Sequence, residues 1–323
     1  MRVCGDRKLR DSQVPIEYRE IAIHSGYRHP GLTFSQSLES LFTLHNETFN
    51  IWTHIVSLLL YAGYTCHFLL EPRYLSDSHH HAVLCLLFSC CIFPFCSAIA
   101  HLFASMSPVV RHSCFMLDYL GITMYAFGAC IANNIHALPR AWQGGIFERF
   151  FLLFMFISCL VCIIVSCHTR FMPRNQKKTK VLRFGAFALP YIFGMLPCMY
   201  RVLHCREDNS CQGATYYNQH FFDTIFTVLS YGAHVPEVIF PGYFDVFFQS
   251  HSIFHVVVAL GTFHHLQGII VDMNTRPLHD HSFLPCSPAL PLISLVVLNM
   301  CIVLYFIRKM HTHHYKCHSE RSH

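Results

Sequence analysis

His251 and His255 stand four residues apart in F-F-Q-S-H-S-I-F-H (Phe247 to His255), at the mouth of a long apolar run. At that spacing two imidazoles project from one face of a helix. Val256 to Val271 behind them is almost wholly apolar, so the pair lies where a helix enters a bilayer. Polar groups at that depth cost several kcal/mol, roughly, when they lack a partner. A metal ion satisfies two neutral imidazoles together; the alternative is a helix-end pair bonded to water or carbonyls. Two other apolar runs carry polar groups near an edge, Ser97 and His101 in S-A-I-A-H and Asp118 in F-M-L-D-Y-L-G-I. A third imidazole completes the open zinc arrangement, in which water holds the fourth position.

The elements that must position these groups are membrane helices. Of 323 residues, 53% are hydrophobic, 15% aromatic and only 13% charged, a profile of a membrane protein. The start, M-R-V-C-G-D-R-K-L-R-D-S-Q, is charged and has no apolar h-region, so no cleavable signal peptide is expected and the first hydrophobic segment does the targeting. Most of the 17 cysteines lie inside apolar runs, where a thiol behaves as a small hydrophobe. Only Cys205 and Cys211, in one polar loop, are plausible disulfide partners. The net charge of +5 is carried by loops and is explained by topology, so no nucleic-acid partner is expected.

Eight stretches approach the roughly 20 residues that cross a hydrocarbon core. They are Ile51 to Leu70, Ala82 to Phe103, Phe115 to Ala132, Phe147 to Cys167, Phe184 to Leu203, Phe221 to Phe240, Phe247 to Val271 and Ala289 to Ile307. The expected organisation is all-α: a cytoplasmic segment over 1–50, eight transmembrane helices over 51–307 and a cytoplasmic histidine-rich tail over 308–323. Thr33 and Gln36 have capping-box spacing, and Phe34, Leu38, Leu41 and Phe42 follow with helical periodicity, which predicts an amphipathic surface helix ahead of the first crossing. Asn46-Glu47-Thr48 matches a glycosylation sequon but falls on the cytoplasmic side, where it stays unmodified.

Lys and Arg set the orientation. One side of the membrane holds Arg2, Arg7, Lys8, Arg10, Arg19 and Arg28, then Arg111, the basic run from Arg170 to Arg183, and Arg308, Lys309, Lys316 and Arg321. The other holds only Arg73, Arg140, Arg201, Arg206 and Arg276. The positive-inside rule makes both termini cytoplasmic. The second helix then ends inside at Ser97 and His101, the third begins inside with Asp118 in its first turn or so, and the seventh begins inside with His251 and His255. Three imidazoles and a carboxylate therefore share one depth, with His101, His251 and His255 as the zinc ligands. Asp118 would accept from the water or serve as general base, and Ser97 would hold the same water. The alternatives are a carboxylate favoured by a helix N-terminus for Asp118 and a bond back to its own helix for Ser97. His264 and His265, roughly 13 Å or more up the helix from His255, are too distant to share a metal. Glu47, Asn50, His54, His234 and Glu237 fall at the same level and are read as interhelical hydrogen-bonding groups. The histidines of Ser78 to His81 and of the tail are read as solvated.

At these residues the sequence resembles the progestin and adipoQ receptor family. The likeness runs through Gly26-Tyr27-Arg28, Asn46-Glu47-Thr48-Phe49-Asn50-Ile51-Trp52-Thr53-His54, Ser97-x-x-x-His101, Leu117-Asp118-Tyr119-x-Gly121-Ile122, Pro236-Glu237-x-x-x-Pro241-Gly242-x-Phe244-Asp245 and Ser250-His251-x-x-Phe254-His255. It implies a seven-helix core bundle with a cytoplasmic N-terminus and zinc on His101, His251 and His255. The eighth, C-terminal helix and Ala233-His234-x-Pro236-Glu237 look like the membrane progestin receptor branch. The resemblance further implies a plasma-membrane receptor for a steroid or sphingolipid-like ligand, signalling non-genomically through a partner at the cytoplasmic face. It also implies, as the alternative, a zinc-dependent amide hydrolase of ceramide-like lipids. A transporter is disfavoured by the absence of a midplane site and of repeats. A rhodopsin-like receptor is disfavoured because D-R-Y and N-P-x-x-Y are missing.

Overall fold

The computed structural model describes residues 8–76, 79–172, 177–206, 211–276 and 287–321, without the side chains of Lys177 and of the residues beyond 312. Arg2, Arg7, Ser78, Arg174 and the side chains of the histidine-rich tail beyond Thr312 lie outside the described residues. Helices dominate: α1 (Phe34–Glu39), α2 (Thr48–Leu70), α3 (Pro72–Ser76), α4 (His81–Phe103), α5 (Pro108–Ala132), α6 (Ile146–His168), α7 (Lys177–Gly194), α8 (Leu196–His204), α9 (Cys211–Ala233), α10 (Ser250–Thr275) and α11 (Ala289–Arg321). Among the described residues the only β pairing is a single bridge between Leu9 and Tyr27. Among the described residues six helices, α2, α4, α5, α6, α10 and α11, are long and apolar enough to cross a membrane, and α7 with α8 makes a seventh if the pair is one span.

Four elements differ from the sequence reading for a local reason, and α11 runs on past the expected Ile307 to Arg321. The fifth stretch is broken: α7 and α8 meet at an angle of 49°, with Pro190 inside α7 and Pro197 just after the break, where a missing N–H interrupts the ladder. The sixth begins at Cys211 and ends at Ala233, because His234 takes a left-handed backbone (φ 53°) and Pro236 cannot donate to a helix. The seventh begins at Ser250, whose backbone N–H donates to the Glu237 carboxylate at 2.7 Å. The third begins at Pro108, seven residues before the expected Phe115, with the Ser107 hydroxyl accepting from Val110 N at 3.2 Å as an N-cap. Asp118 is thus nearly three turns inside α5 and not in its first turn, which removes the helix-dipole explanation for it.

The expected capping box is present at α1, where Thr33 Oγ1 accepts from Gln36 N and Gln36 Oε1 from Thr33 N. The helix it opens is only six residues long, and Phe34 stacks on Phe103 at 5.1 Å between centroids. Cys205 and Cys211 are paired, which ties α8 to α9.

Glycines set the closest approaches. On α5, a Cβ at Gly121 would come within 3.1 Å of the Phe93 Cα, and one at Gly128 would overlap Ser89, so α4 and α5 touch backbone to backbone. That seam places Asp118, one turn from Gly121, against the face of α4 that carries Ser97. On α10, side chains at Gly261 and Gly268 would meet His220 and Tyr217 of α9. Ahead of α1, Leu9, Val14, Tyr18, Ile23 and Tyr27 form a small core of their own. This segment is clasped to the loop before α10 by Asp245, which accepts from His24 N (3.0 Å) and Ser25 Oγ (2.6 Å). Gly128→Ala should lower stability by about 1–3 kcal/mol through overpacking, read as a lower thermal midpoint of the detergent-purified protein. Gly63→Ala, which faces open space, should leave the midpoint near wild type.

Candidate metal centre

The last turn of α4 and the first turns of α10 deliver three imidazoles to one point. His101 Nε2 lies 3.3 Å from His251 Nε2 and 3.2 Å from His255 Nε2, and the last two nitrogens are 3.1 Å apart. His101 and His255 are buried and His251 half-buried. His101, His251 and His255 are also, among the described residues, the one group of His, Cys, Asp or Glu side chains placed to hold a metal ion.

Three ring nitrogens so close cannot all be hydrogen-bonded to one another. A neutral imidazole carries one N–H, and that of His101 is committed: Nδ1 lies 2.7 Å from Glu47 Oε2, an atom that only accepts. His101 Nε2 therefore presents a lone pair to its two neighbours. A cation resolves that crowding. Nitrogens about 2.0–2.1 Å from a tetrahedral zinc ion lie about 3.3 Å apart, close to the sides of this triangle. The residues fit the group that the sequence predicts.

Asp118 and Ser97 meet as well. The Ser97 side chain stands beside the Asp118 carboxyl, and Asp118 lies within electrostatic reach of His101. Asp118 Oδ1 is buried without a hydrogen-bond partner. Such an atom forfeits about 1–3 kcal/mol unless something arrives to pair it.

The N-terminal segment fixes the end of α4. Arg28, buried beneath α1, donates to the carbonyls of His101 (2.6 Å) and Leu102 (2.8 Å) and to Ser40 Oγ (3.0 Å). A cation at the last carbonyls of a helix satisfies groups that have no partner within the helix and complements its dipole. Burial pushes this guanidinium down to about 10, so it keeps its charge at neutral pH. Burial, aided by the Arg28 charge, likewise pushes His45 down to about 3. The neutral His45 ring accepts from Glu47 N (3.1 Å) at Nδ1 and donates to Ser40 O (3.1 Å) at Nε2, which anchors Glu47.

All five residues singled out by sequence are thus in one region, three as a triangle and two as a pair. Glu47, Asn50 and His54, read from sequence as interhelical bonding groups, form such bonds, but the partners of Glu47 and His54 are the imidazoles themselves: His54 Nε2 lies 2.5 Å from His255 Nδ1. Their spacing of three and then four residues, which puts them on one helix face, was the available signal. Glu237 caps α10. Of the other buried histidines, His265 is committed to Asn133 (2.8 Å), His220 to the Gly261 carbonyl (2.8 Å) and His136 to the His79 carbonyl (3.1 Å), and the half-buried His264 pairs with Asp223 (2.7 Å).

The profile of the haemolysin-III-related family matches residues 42–266, a stretch that contains every residue of this centre. The chain is 35% identical over 280 residues to human membrane progestin receptor delta, covering 83% of this chain and 79% of that protein. It is 32% identical over 317 residues to zebrafish (Danio rerio) membrane progestin receptor gamma-A, covering 91% and 92%. With human membrane progestin receptor gamma it shares 33% over 266 residues, covering 82% and 81%.

Ser97→Ala should cost about 1–3 kcal/mol by removing the hydroxyl beside the Asp118 carboxyl. The same change in an Asp118→Ala background should cost clearly less, and a double-mutant cycle of thermal midpoints reads the difference.

Proposed function

The chain belongs to the haemolysin-III-related family, that of the progestin and adipoQ receptors, and on that premise we propose that it is a multi-pass membrane receptor for a steroid or sphingolipid-like ligand, with a zinc ion on His101, His251 and His255. The observation that carries this reading is the meeting of three Nε2 atoms within 3.1–3.3 Å of one another. Three nitrogen donors with an open fourth position suit zinc. The receptor half of the reading rests on the relatives, which are named for progestin.

On this reading α7 with α8 is one crossing and α9 another, which gives eight. In α9 the exposed polar residues Gln212, Thr215, Asn218 and Gln219 lie in its first turns, while deeper in the helix His220 is buried, Tyr217 donates to Asp272 (2.9 Å), and Phe222, Ile225, Phe226 and Leu229 face outward. An even number of crossings and the excess of Lys and Arg on the His101 side put both termini in the cytoplasm. The metal centre then lies in the cytoplasmic leaflet of the plasma membrane, within reach of a signalling partner on that side.

A second reading, a zinc-dependent amide hydrolase acting on ceramide-like lipids, is favoured by one observation, the unpaired Asp118 Oδ1. Zinc at a three-nitrogen site supplies Lewis acidity and makes water nucleophilic at neutral pH. Asp118 would take a proton from the attacking water at Oδ1 and return it to the amine nitrogen as the C–N bond breaks. Ser97 would hold the carboxyl by its other oxygen, keeping Oδ1 turned to the reacting atoms.

Wild-type protein is expected to carry about one zinc per chain, and His255→Ala to lose it, as read by elemental analysis of both. Metal retained in that variant would sink the assignment. Asp118→Ala should keep the zinc. If the protein turns over ceramide, that variant should lower the rate by roughly 10²–10⁴-fold; zinc without turnover in the wild type, together with saturable steroid binding, leaves the receptor alone.

A further inference from the structure

Glu47, Asn50 and His54 lie on one face at the head of α2, a helix that offers no nitrogen to the triangle. Each of the three nevertheless reaches a helix that does. Glu47 Oε2 takes His101 Nδ1 (2.7 Å) and Asn50 Nδ2 (2.7 Å). Asn50 Oδ1 accepts from Ser252 Oγ (2.8 Å), the residue next to His251 on α10. His54 Nε2 meets His255 Nδ1 (2.5 Å), with the two rings edge to face at 4.1 Å. All three side chains are buried.

An imidazole ligates a metal through the nitrogen that lacks the proton, so the partner of one ring nitrogen decides what the other can do. The Glu47 carboxylate has no proton to give, which requires the His101 proton on Nδ1 and leaves a lone pair on Nε2. Between His54 and His255 one N–H serves the contact. Placed on His255 Nδ1, it leaves the His255 Nε2 lone pair facing the same point as that of His101. Asn50 holds Glu47 by one amide hydrogen and ties it to α10 through Ser252. The arrangement therefore fixes the tautomer of His101, holds the direction of both rings and accommodates the ligating tautomer of His255.

We infer that Glu47, Asn50 and His54 are the positioning residues of this metal centre, setting the tautomer and orientation of His101 and His255 and through them the affinity for the ion. This rests on the reading of the triangle as a zinc site. The competing role is adhesive only, bonding α2 to the bundle without regard to the metal.

The test uses the full chain purified in detergent. Zinc affinity is measured by competition with a chromophoric chelator, and thermal midpoints are taken with and without the ion. Glu47→Ala and His54→Ala should each bind zinc about 10–100-fold more weakly. Glu47→Gln, whose amide oxygen still accepts from Nδ1–H, should fall between Glu47→Ala and wild type. The stabilisation conferred by zinc should shrink in the same order, since a ligand stabilises in proportion to its binding. Wild-type affinity in both alanine variants, with loaded and metal-free midpoints lowered equally, overturns the inference and leaves the adhesive role. Where an alanine variant fails to fold, Glu47→Gln decides: affinity unchanged from wild type counts against the inference, and a measurable fall supports it. A wild-type chain that takes up no zinc removes the premise, an outcome distinct from both.

Discussion

Polar atoms inside an apolar bundle must find partners within the bundle, because neither lipid nor bulk water supplies them there. The arrangement of α2, α4, α5 and α10 follows from that constraint. His101 is held at both ends, by Arg28 on its carbonyl and Glu47 on its ring. The chain of contacts then runs through Asn50 to Ser252 and through His54 to His255. Each helix is fixed by what its neighbour lacks, so the registers of α4 and α10 are set by hydrogen bonds as much as by packing. The glycine seam of α5 completes the set by admitting Asp118 to the Ser97 face of α4.

The same rule governs the opposite half of the bundle with different residues. Arg201 and Asp272, both without solvent exposure, form an ion pair at 2.8 Å, and Tyr217 shares the carboxylate. Asn133 donates to the Gly194 carbonyl (2.9 Å), next to the break between α7 and α8, while its Oδ1 serves His265. A buried ion pair of this kind is weak evidence of net stability, since desolvation offsets most of the attraction. Its clearer effect is geometric: it fixes the depth of α8 and α9 against α10, and α10 carries that register down to His251 and His255.

Much of this was legible in the sequence because bilayer helices announce themselves by length and apolarity. The spacing of His251 and His255 and the position of His101 at the end of an apolar run were enough to bring three imidazoles together. What could not be read was set by partners distant in sequence. The head of α9 is polar and looked like loop, since nothing local indicates that Tyr217 and His220 turn inward. Pro108 extends α5 through Val109 to Cys114, which no apolar count would include while Arg111 and His112 stand among them. Glu47 and His54 were visible on one helix face, but their bonds to the clustered rings depend on residues 54 and 201 positions away, His101 and His255.

The two proposed functions make different demands on Asp118. A zinc ion serving only to staple α4 to α10 needs three rings held in place, and Glu47, Asn50 and His54 already meet that need. It has no use for a buried carboxyl oxygen without a partner, which weakens the fold at a position where asparagine or alanine would relieve the strain on hydrogen bonding. Local rules of satisfaction are broken chiefly where function requires it. In this centre Asp118 Oδ1 is buried without a partner and His251 is half-buried, while Glu47 Oε2 and His54 Nε2 are bonded to the imidazoles of His101 and His255. On the proposed reading, an incoming polar group of a steroid or an amide lipid would meet the site at His251, the half-buried member of the triangle, with Asp118 Oδ1 still able to pair with it. A receptor and a hydrolase can share that approach; they differ in whether the group that arrives at Asp118 only donates a hydrogen bond to it or exchanges a proton with it.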